Sequence, residues 1–285
     1  MALPYDWIVP EWDAPPPVRA LFTSRSGGVS VAPFDSFNLG DHVCDEPAAV
    51  AHNRAQLAQV VGQRPVFLQQ VHGTAVVGLQ SATSRPDGLT GAHTPDGTVG
   101  DACLSTLRGV ACTIMVADCL PVLFAHASGT VVAAAHAGWR GLAGAGAPVA
   151  GQGVLETTMA ALVAAVQVAD PAATPASVAQ HTMAWLGPCI GPEAFEVGPE
   201  VREAFVAQQP AAYRAFVPVG GGKFLANLQA LARGRLAAMG VTRVAGNDGT
   251  AAWCTFTQPS RFFSHRRDAA RLGSTGRMAA CIWLV

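Results

Sequence analysis

The apolar positions of this chain gather in short, nearly continuous runs rather than in one repeating stripe. The clearest are 110–117, 120–125 and 130–135, rich in Val, Leu and Ala and bounded by Gly, Asp and Ser. Runs of this length predict strands buried on both faces. Further strands are predicted at 18–23, 65–68, 182–186, 241–245 and 278–284. Apolar residues at helical spacing predict helices at 46–61, 154–168, 199–207 and 225–239. The first has Asp45 as its N-cap and Pro47 in its first turn, and the last has Gly240 as its C-cap. Strands and helices mix irregularly, without strict βα alternation. That favours an α+β fold, a single domain of mixed β-sheets layered with helices over residues 1–285. Residues 1–17 read as an extended N-terminal leader, stiffened by Pro15-Pro16-Pro17. Residues 81–101 are rich in Gly, Pro, Ser, Thr and Asp and read as a loop, a candidate lid.

Polar residues where these runs stop carry the candidate chemistry. Asp118-Cys119 follows the first central run, and His136 follows the third, so both belong at strand ends, where sites are commonly built on a rigid scaffold. His72 follows the run at 66–68 in the same way and precedes Gly73. A thiolate with one imidazole in reach can be a nucleophile with its base. A thiolate with two imidazoles can hold zinc with a fourth position open. Spacing alone leaves both readings standing beside a third, in which each residue is simply packed or solvated. The small residues around Trp139 and Arg140 suggest a tight loop against a pocket wall, with a planar ring and a cation for a ligand. Cys189, in a Gly- and Pro-rich loop, reads as a packed small residue rather than a second functional thiol. Residues 262–268 can bring Arg266 and Arg267 to an anion or form an exposed charged loop.

Several motifs occur together and in order: TSRSGGVS at 23–30, FNLGDHV at 37–43, QQVHG at 69–73, ADCLP at 117–121, AHAGWRG at 135–141, LGPCIG at 186–191, FFSHRRD at 262–268 and TGRMA at 275–279. Over almost the whole chain this resembles the YfiH-like family, also called the laccase-domain or multicopper polyphenol oxidase family, whose members include purine nucleoside phosphorylases. The resemblance implies a zinc site of His72, Cys119 and His136, which are also the catalytic residues. It implies phosphorolysis of adenosine, inosine and methylthioadenosine, with adenosine deamination as a further activity. Purine nucleoside and phosphate are the partners it implies. It makes Arg25, Asn38, Gln70 and Arg140 substrate-binding candidates, Arg25 and Arg140 for phosphate, and it puts Asp101 near the site. Two departures stand out: Asn227 precedes Leu228 where an acidic residue is expected, and His265 stands where an aromatic is expected.

Composition narrows the classes further. Half of the 285 residues are hydrophobic, 13% are charged, and the net charge is −1, so there is no basic excess for nucleic acid. No apolar stretch is long enough to span a membrane, and the first residues lack the pattern of a signal peptide. Seven scattered cysteines suit a reduced, cytoplasmic protein rather than a disulfide framework. The expected assembly is a monomer or a small homo-oligomer. Copper is the alternative metal, but eight histidines without a His-x-His pair argue against several coppers. The remaining alternatives are a metal-free cysteine hydrolase using Cys119 and His136, a copper-dependent polyphenol oxidase, and a purine-binding module without turnover.

Overall fold

A computed structural model describes residues 6–80, 93–149 and 151–285. The runs at 110–117 and 120–125 become β5 (Val110–Val116) and β6 (Leu120–His126), and the third becomes β7 (Val132–Ala137), which takes in His136. With β1 (Val18–Phe22), β2 (Arg64–Phe67), β3 (Val76–Gly78), β4 (Ala102–Ser105), β8 (Thr182–Leu186), β12 (Arg243–Gly246) and β13 (Met278–Leu284), they build two sheets. The first has the order β1-β13-β5-β2, and the second β12-β8-β6-β7-β4-β3. Both are mixed. In the first, β2 runs parallel to β5 and the other pairs are antiparallel; in the second, β3–β4 and β8–β12 are the parallel pairs. A third, small sheet joins β9 (Glu196–Val197) to the hairpin of β10 (Phe216–Gly220) and β11 (Lys223–Ala226).

The two large sheets pack face to face, with a helical layer on each outer side. Their alternating side chains sort the core into three zones. On β6 and β7, Leu123, Ala125, Val132 and Ala134 face the other sheet and meet Val66, Ile114 and Ile282. Val122, Phe124, Ala133 and Ala135 face α3 (Val154–Ala169), α5 (Pro199–Val206) and α6 (Leu228–Ala238). The outer face of the first sheet lies on α1 (Pro47–Val61) through Leu57 and Val61. Strands covered on both sides have no polar face, which is why they read as unbroken apolar runs. The short helices are α2 (Trp139–Ala143), α4 (Pro175–Gln180) and α7 (His265–Leu272).

Three expectations need correction. Helix α1 has Glu46, not Asp45, as its N-cap, because the Asp45 carboxylate accepts from Asn38 Nδ2 at 2.8 Å as well as from the Glu46 amide. Helix α6 starts at Leu228 rather than 225, since residues 225 and 226 pair in β11 and Asn227 caps the helix through Oδ1 on the Ala230 amide at 2.8 Å. Asparagine therefore does here the capping that an aspartate would do. The same helix ends with Met239 rather than Gly240 as its C-cap, and Gly240 takes the left-handed position that follows, at φ 87°. The residues after Gly138 form α2 rather than a loop. The leader is joined to β1 through a bridge between Ile8 and Phe22. Residues 81–92 of the candidate lid lie outside the described residues; 93–101 pack by β2, with the Gly97 amide on Phe67 O.

One buried polar residue of α1 organises a loop that later reaches the site. Asn53 accepts from the Val29 amide at 3.1 Å and donates to Ser30 Oγ, Ser36 O and Asn38 O at 3.0, 3.2 and 2.9 Å. Replacing it orphans several groups in a water-free place. Asn53→Ala should lower stability by about 2–4 kcal/mol in urea unfolding. A change within error would show that the loop is held by other contacts.

Candidate metal centre and substrate cavity

The site lies at the end of the inter-sheet core, and one carboxylate assembles it. Asp101, one residue before β4, is fully buried. Its carboxylate accepts the amides of Val71, His72 and Gly73 at 3.1, 2.8 and 2.7 Å. It also takes His136 Nδ1 at 2.9 Å, while the Asp101 carbonyl accepts the His136 amide at 2.7 Å. Burial pushes the Asp101 pKa up, but the bonds from His136, Gly73 and Val71 outweigh it and hold the group below its ordinary value. An ionised carboxylate only accepts, so His136 keeps a proton on Nδ1 and Nε2 is the nitrogen left to meet a metal once its own proton is lost. The turn wrapped around Asp101 puts His72 at φ 62°.

Cys119 completes the group from the turn between β5 and β6. It follows Asp118, at φ 95°, whose carboxylate is pinned by Thr255 Oγ1 and the Arg266 amide, both at 2.6 Å. Its Sγ stands 3.7 Å from His72 Nε2. The His72 and His136 rings are 4.8 Å apart at 68°. One ligand atom from each of the three residues lies within 4.8 Å of the others. His72 is exposed, Cys119 half-buried and His136 buried, so the group opens to one side. Gly138 makes the room: a Cβ there would sit 2.8 Å from His72 Cδ2 and 3.0 Å from Cys119 Sγ.

The donors fit a metal ion. A thiolate and two imidazoles suit zinc or copper, and Asp101 backs one histidine as carboxylates commonly do behind metal-bound imidazoles. Without metal, the same atoms form an ion pair. Burial alone would push Cys119 up, but the imidazolium of His136 and hydrogen bonds from both histidines bring it down to about 6. Burial alone would push His136 down, but the Cys119 thiolate and Asp101 raise it to about 9.

The group opens into a cavity of about 350 Å³. Met115, Ile190 and Phe195 provide apolar wall, and Asp118, Arg266, Arg277, His42 and His265 stand around it. Gln70 also lines it, with its carboxamide fixed by the Met115 backbone at 2.8 Å through both Nε2 and Oε1. The other three substrate-binding candidates lie elsewhere. Arg25 donates to Asp35 O and Pro259 O at 2.9 Å, pairs with the Asp35 carboxylate at 3.1 Å, and borders a separate surface cleft. Arg140 is exposed and stacks 4.5 Å over Trp139. Asn38 is fully buried; its side chain bonds Gly40, Asp45 and the Arg277 amide. Cys189 is an inert thiol, buried, pushed well up by burial, and bonded by Gln229 Nε2 at 3.1 Å. Arg267 is a structural residue, donating to Thr255 O, Phe256 O and Phe262 O and pairing with Asp268. Sequence reasoning did not single out Arg277 or His42, although both stand in the quoted motifs TGRMA and FNLGDHV.

A mixed two-sheet α+β fold with a Cys–His–His group that could hold a metal ion at the floor of a cavity is the class these features define. Comparison with known proteins gives the family. Residues 19–285 match the family model described as multi-copper polyphenol oxidoreductase laccase. The chain is 48% identical over 279 residues to a purine nucleoside phosphorylase of Pseudomonas aeruginosa and 45% identical over 280 residues to purine nucleoside phosphorylase YfiH of Escherichia coli, with 98% of each chain covered. Among solved structures, it matches a Neisseria meningitidis protein at 45% identity and TM-score 0.79, covering 98% of this chain and 99% of that one. YlmD from Geobacillus stearothermophilus matches at 28% identity and TM-score 0.77, with 100% and 98% covered. The chain therefore belongs to the multi-copper polyphenol oxidoreductase laccase family, the group that includes the YfiH proteins.

Asp101→Asn keeps the shape but turns an NH2 group toward backbone amides and weakens the hold on His136. Affinity for zinc, measured against a chelator, should fall about 10–100-fold. In the unsubstituted protein, metal binding must expel the His136 Nε2 proton. Affinity should then rise about tenfold per unit between pH 7 and the His136 value of about 9 and flatten above it. A flat profile from pH 7 would contradict the ion pair.

Proposed function

We propose that this protein is a zinc-dependent purine nucleoside phosphorylase acting on adenosine, inosine and methylthioadenosine, with adenosine deamination at the same site. The observation that carries the proposal is the convergence of His72, Cys119 and His136 on the floor of the cavity. It gains its meaning from end-to-end relatives named purine nucleoside phosphorylase. A cavity of about 350 Å³ is within the common range for small-molecule sites, roughly 300–1,000 Å³.

His72 Nε2, Cys119 Sγ and His136 Nε2 would hold the ion, which when bound supplies Lewis-acid polarisation and lowers the pKa of water. The chain's own residues do the rest. Asp101 keeps the His136 proton on Nδ1. Gln70, locked on both sides by Met115, presents a fixed polar edge rather than a flexible one. Met115, Ile190 and Phe195 exclude water and give a purine a surface to lie on. In phosphorolysis a phosphate oxygen forms the bond to ribose C1′ as the C1′–N9 bond breaks. The bonding pair leaves with the base, and the proton of the monohydrogen phosphate ends on it. Copper remains a possible metal for these donors, but the described residues hold one such group, which does not suit several coppers.

A second reading has its own observation. Cys119 as a thiolate beside a protonated His136 that is backed by Asp101 has the parts of a cysteine hydrolase. Metal removal separates the two. Protein purified without a metal-affinity tag should carry about one zinc per chain and release adenine or hypoxanthine only when phosphate is present. Cys119→Ala should lose both zinc and turnover while keeping its circular dichroism spectrum. Full turnover by Cys119→Ala would exclude both readings. Activity in the metal-free protein, abolished by one equivalent of iodoacetamide on Cys119, would favour the hydrolase.

A further inference from the structure

Two arginines line the cavity, Arg266 and Arg277, and neither has a carboxylate partner within 4.0 Å among the described residues. Arg266 is exposed and gives its Nη1 to Glu196 O at 2.9 Å, whereas arginines elsewhere in the fold, Arg25, Arg54, Arg235 and Arg267, each meet a carboxylate within 4.0 Å, at Asp35, Asp41, Glu156 and Asp268. Arg277 meets none among the described residues, although it is half-buried and burial lowers its pKa. The negative charges it feels are those of Cys119 and Asp118. Both are engaged elsewhere, Cys119 with the two histidines and Asp118 with Thr255 and the Arg266 amide. A cation drawn out of water without a partner is costly, so such a group in a cavity calls for an anion.

The seat of Arg277 is built rather than accidental. Its amide donates to Asn38 Oδ1 at 2.8 Å, and Asn38 is itself held by Asn53 of α1 through its carbonyl. Its Nη1 donates to Thr275 O at 2.9 Å and Gly276 O at 3.2 Å. Its stem lies against Gly40, where a Cβ would come within 2.7 Å of Arg277 Cγ. Only Nη1 is thereby committed. The Nε–Nη2 edge, the fork that grips an oxyanion with two parallel hydrogen bonds, has no protein acceptor among the described residues. His42 stands at the same cavity with its Nδ1 3.5 Å from the Asp41 carboxylate; burial and the Arg277 charge outweigh Asp41 and lower its pKa, so it offers a neutral ring rather than a second charge.

The geometry points to the free edge of Arg277, with His42 beside it, as the seat of the phosphate co-substrate. This rests on the phosphorylase reading for the identity of the anion. It gives phosphate a place that Arg25 and Arg140 leave unfilled, and it leaves Met115, Ile190 and Phe195 as lining for the purine. A doubly charged phosphate held by the fork keeps one oxygen free to attack C1′, and Arg277 spreads its charge without giving up a proton.

The test uses inorganic phosphate on the metal-loaded full chain. Binding is read by calorimetry, and the KM values for phosphate and for inosine are measured separately. Arg277→Gln should weaken phosphate binding and raise its KM by about 30-fold or more, while the inosine KM moves by less than about threefold. Arg277→Lys should recover part of the loss, and His42→Asn should give a smaller loss of the same kind. Unchanged zinc content and circular dichroism identify folded variants; should Arg277→Gln fail to fold, Arg277→Lys and His42→Asn carry the test. Phosphorolysis with an unchanged phosphate KM in these variants would overturn the seat and leave the phosphorylase standing. Arg277-dependent phosphate binding in a protein that releases no base would keep the seat and overturn the phosphorylase. No phosphate binding to the unsubstituted protein would overturn the seat.

Discussion

The buried carboxylate of Asp101 is the constraint on which the site depends. A charge in a water-free place is tolerated only when its lone pairs are met, and four donors from two distant segments meet them here. Satisfying that one group curls the chain after β2, sets the His72 backbone in the left-handed region, and fixes which nitrogen of His136 is free. The atoms that could hold a metal ion are therefore positioned by a residue that is not itself one of them. A left-handed non-glycine residue is a local cost, and at His72 the three amide bonds to Asp101 offset it.

The sheets decide where this happens. Alternation along β7 puts His136 on the face of Val132 and Ala134, toward the other sheet, while Ala135 and Ala137 face the helices. At its end the inter-sheet core gives way to the turn that carries Asp118 and Cys119. Asp118 is the counterpart of Asp101 on that side. Its carboxylate ties the turn to Thr255 and to the first turn of α7, so that Cys119 follows a fixed residue. Gly138, by lacking a side chain, leaves the thiolate and the imidazole in reach of each other.

The cationic side of the cavity is organised by amides rather than carboxylates. Asn53 in α1 holds the loop around Asn38, and Asn38 holds the backbone of Arg277. Neutral side chains can support a guanidinium from behind without neutralising it, which keeps its charge for the cavity. The same logic separates Arg277 from Arg25, whose charge is met by Asp35 at the surface.

Much of the fold was legible because burial on both faces writes itself into the chain. The runs at 110–117, 120–125 and 278–284 are strands for the reason their composition suggests, and helices at 154–169 and 199–206 follow from apolar spacing. His72, Cys119 and His136 were visible as polar residues where such runs stop. What their letters did not contain was the pairing of β4 with β7, which brings Asp101 to His136 from 35 positions away. Nor did they show that Asn38, a ligand candidate by type, is sealed inside as a support, while Arg277 lines the cavity. Residue type and local period determine which groups can do chemistry and which faces are buried. Only the tertiary structure decides which polar atoms are already satisfied, because that depends on partners far away in the chain.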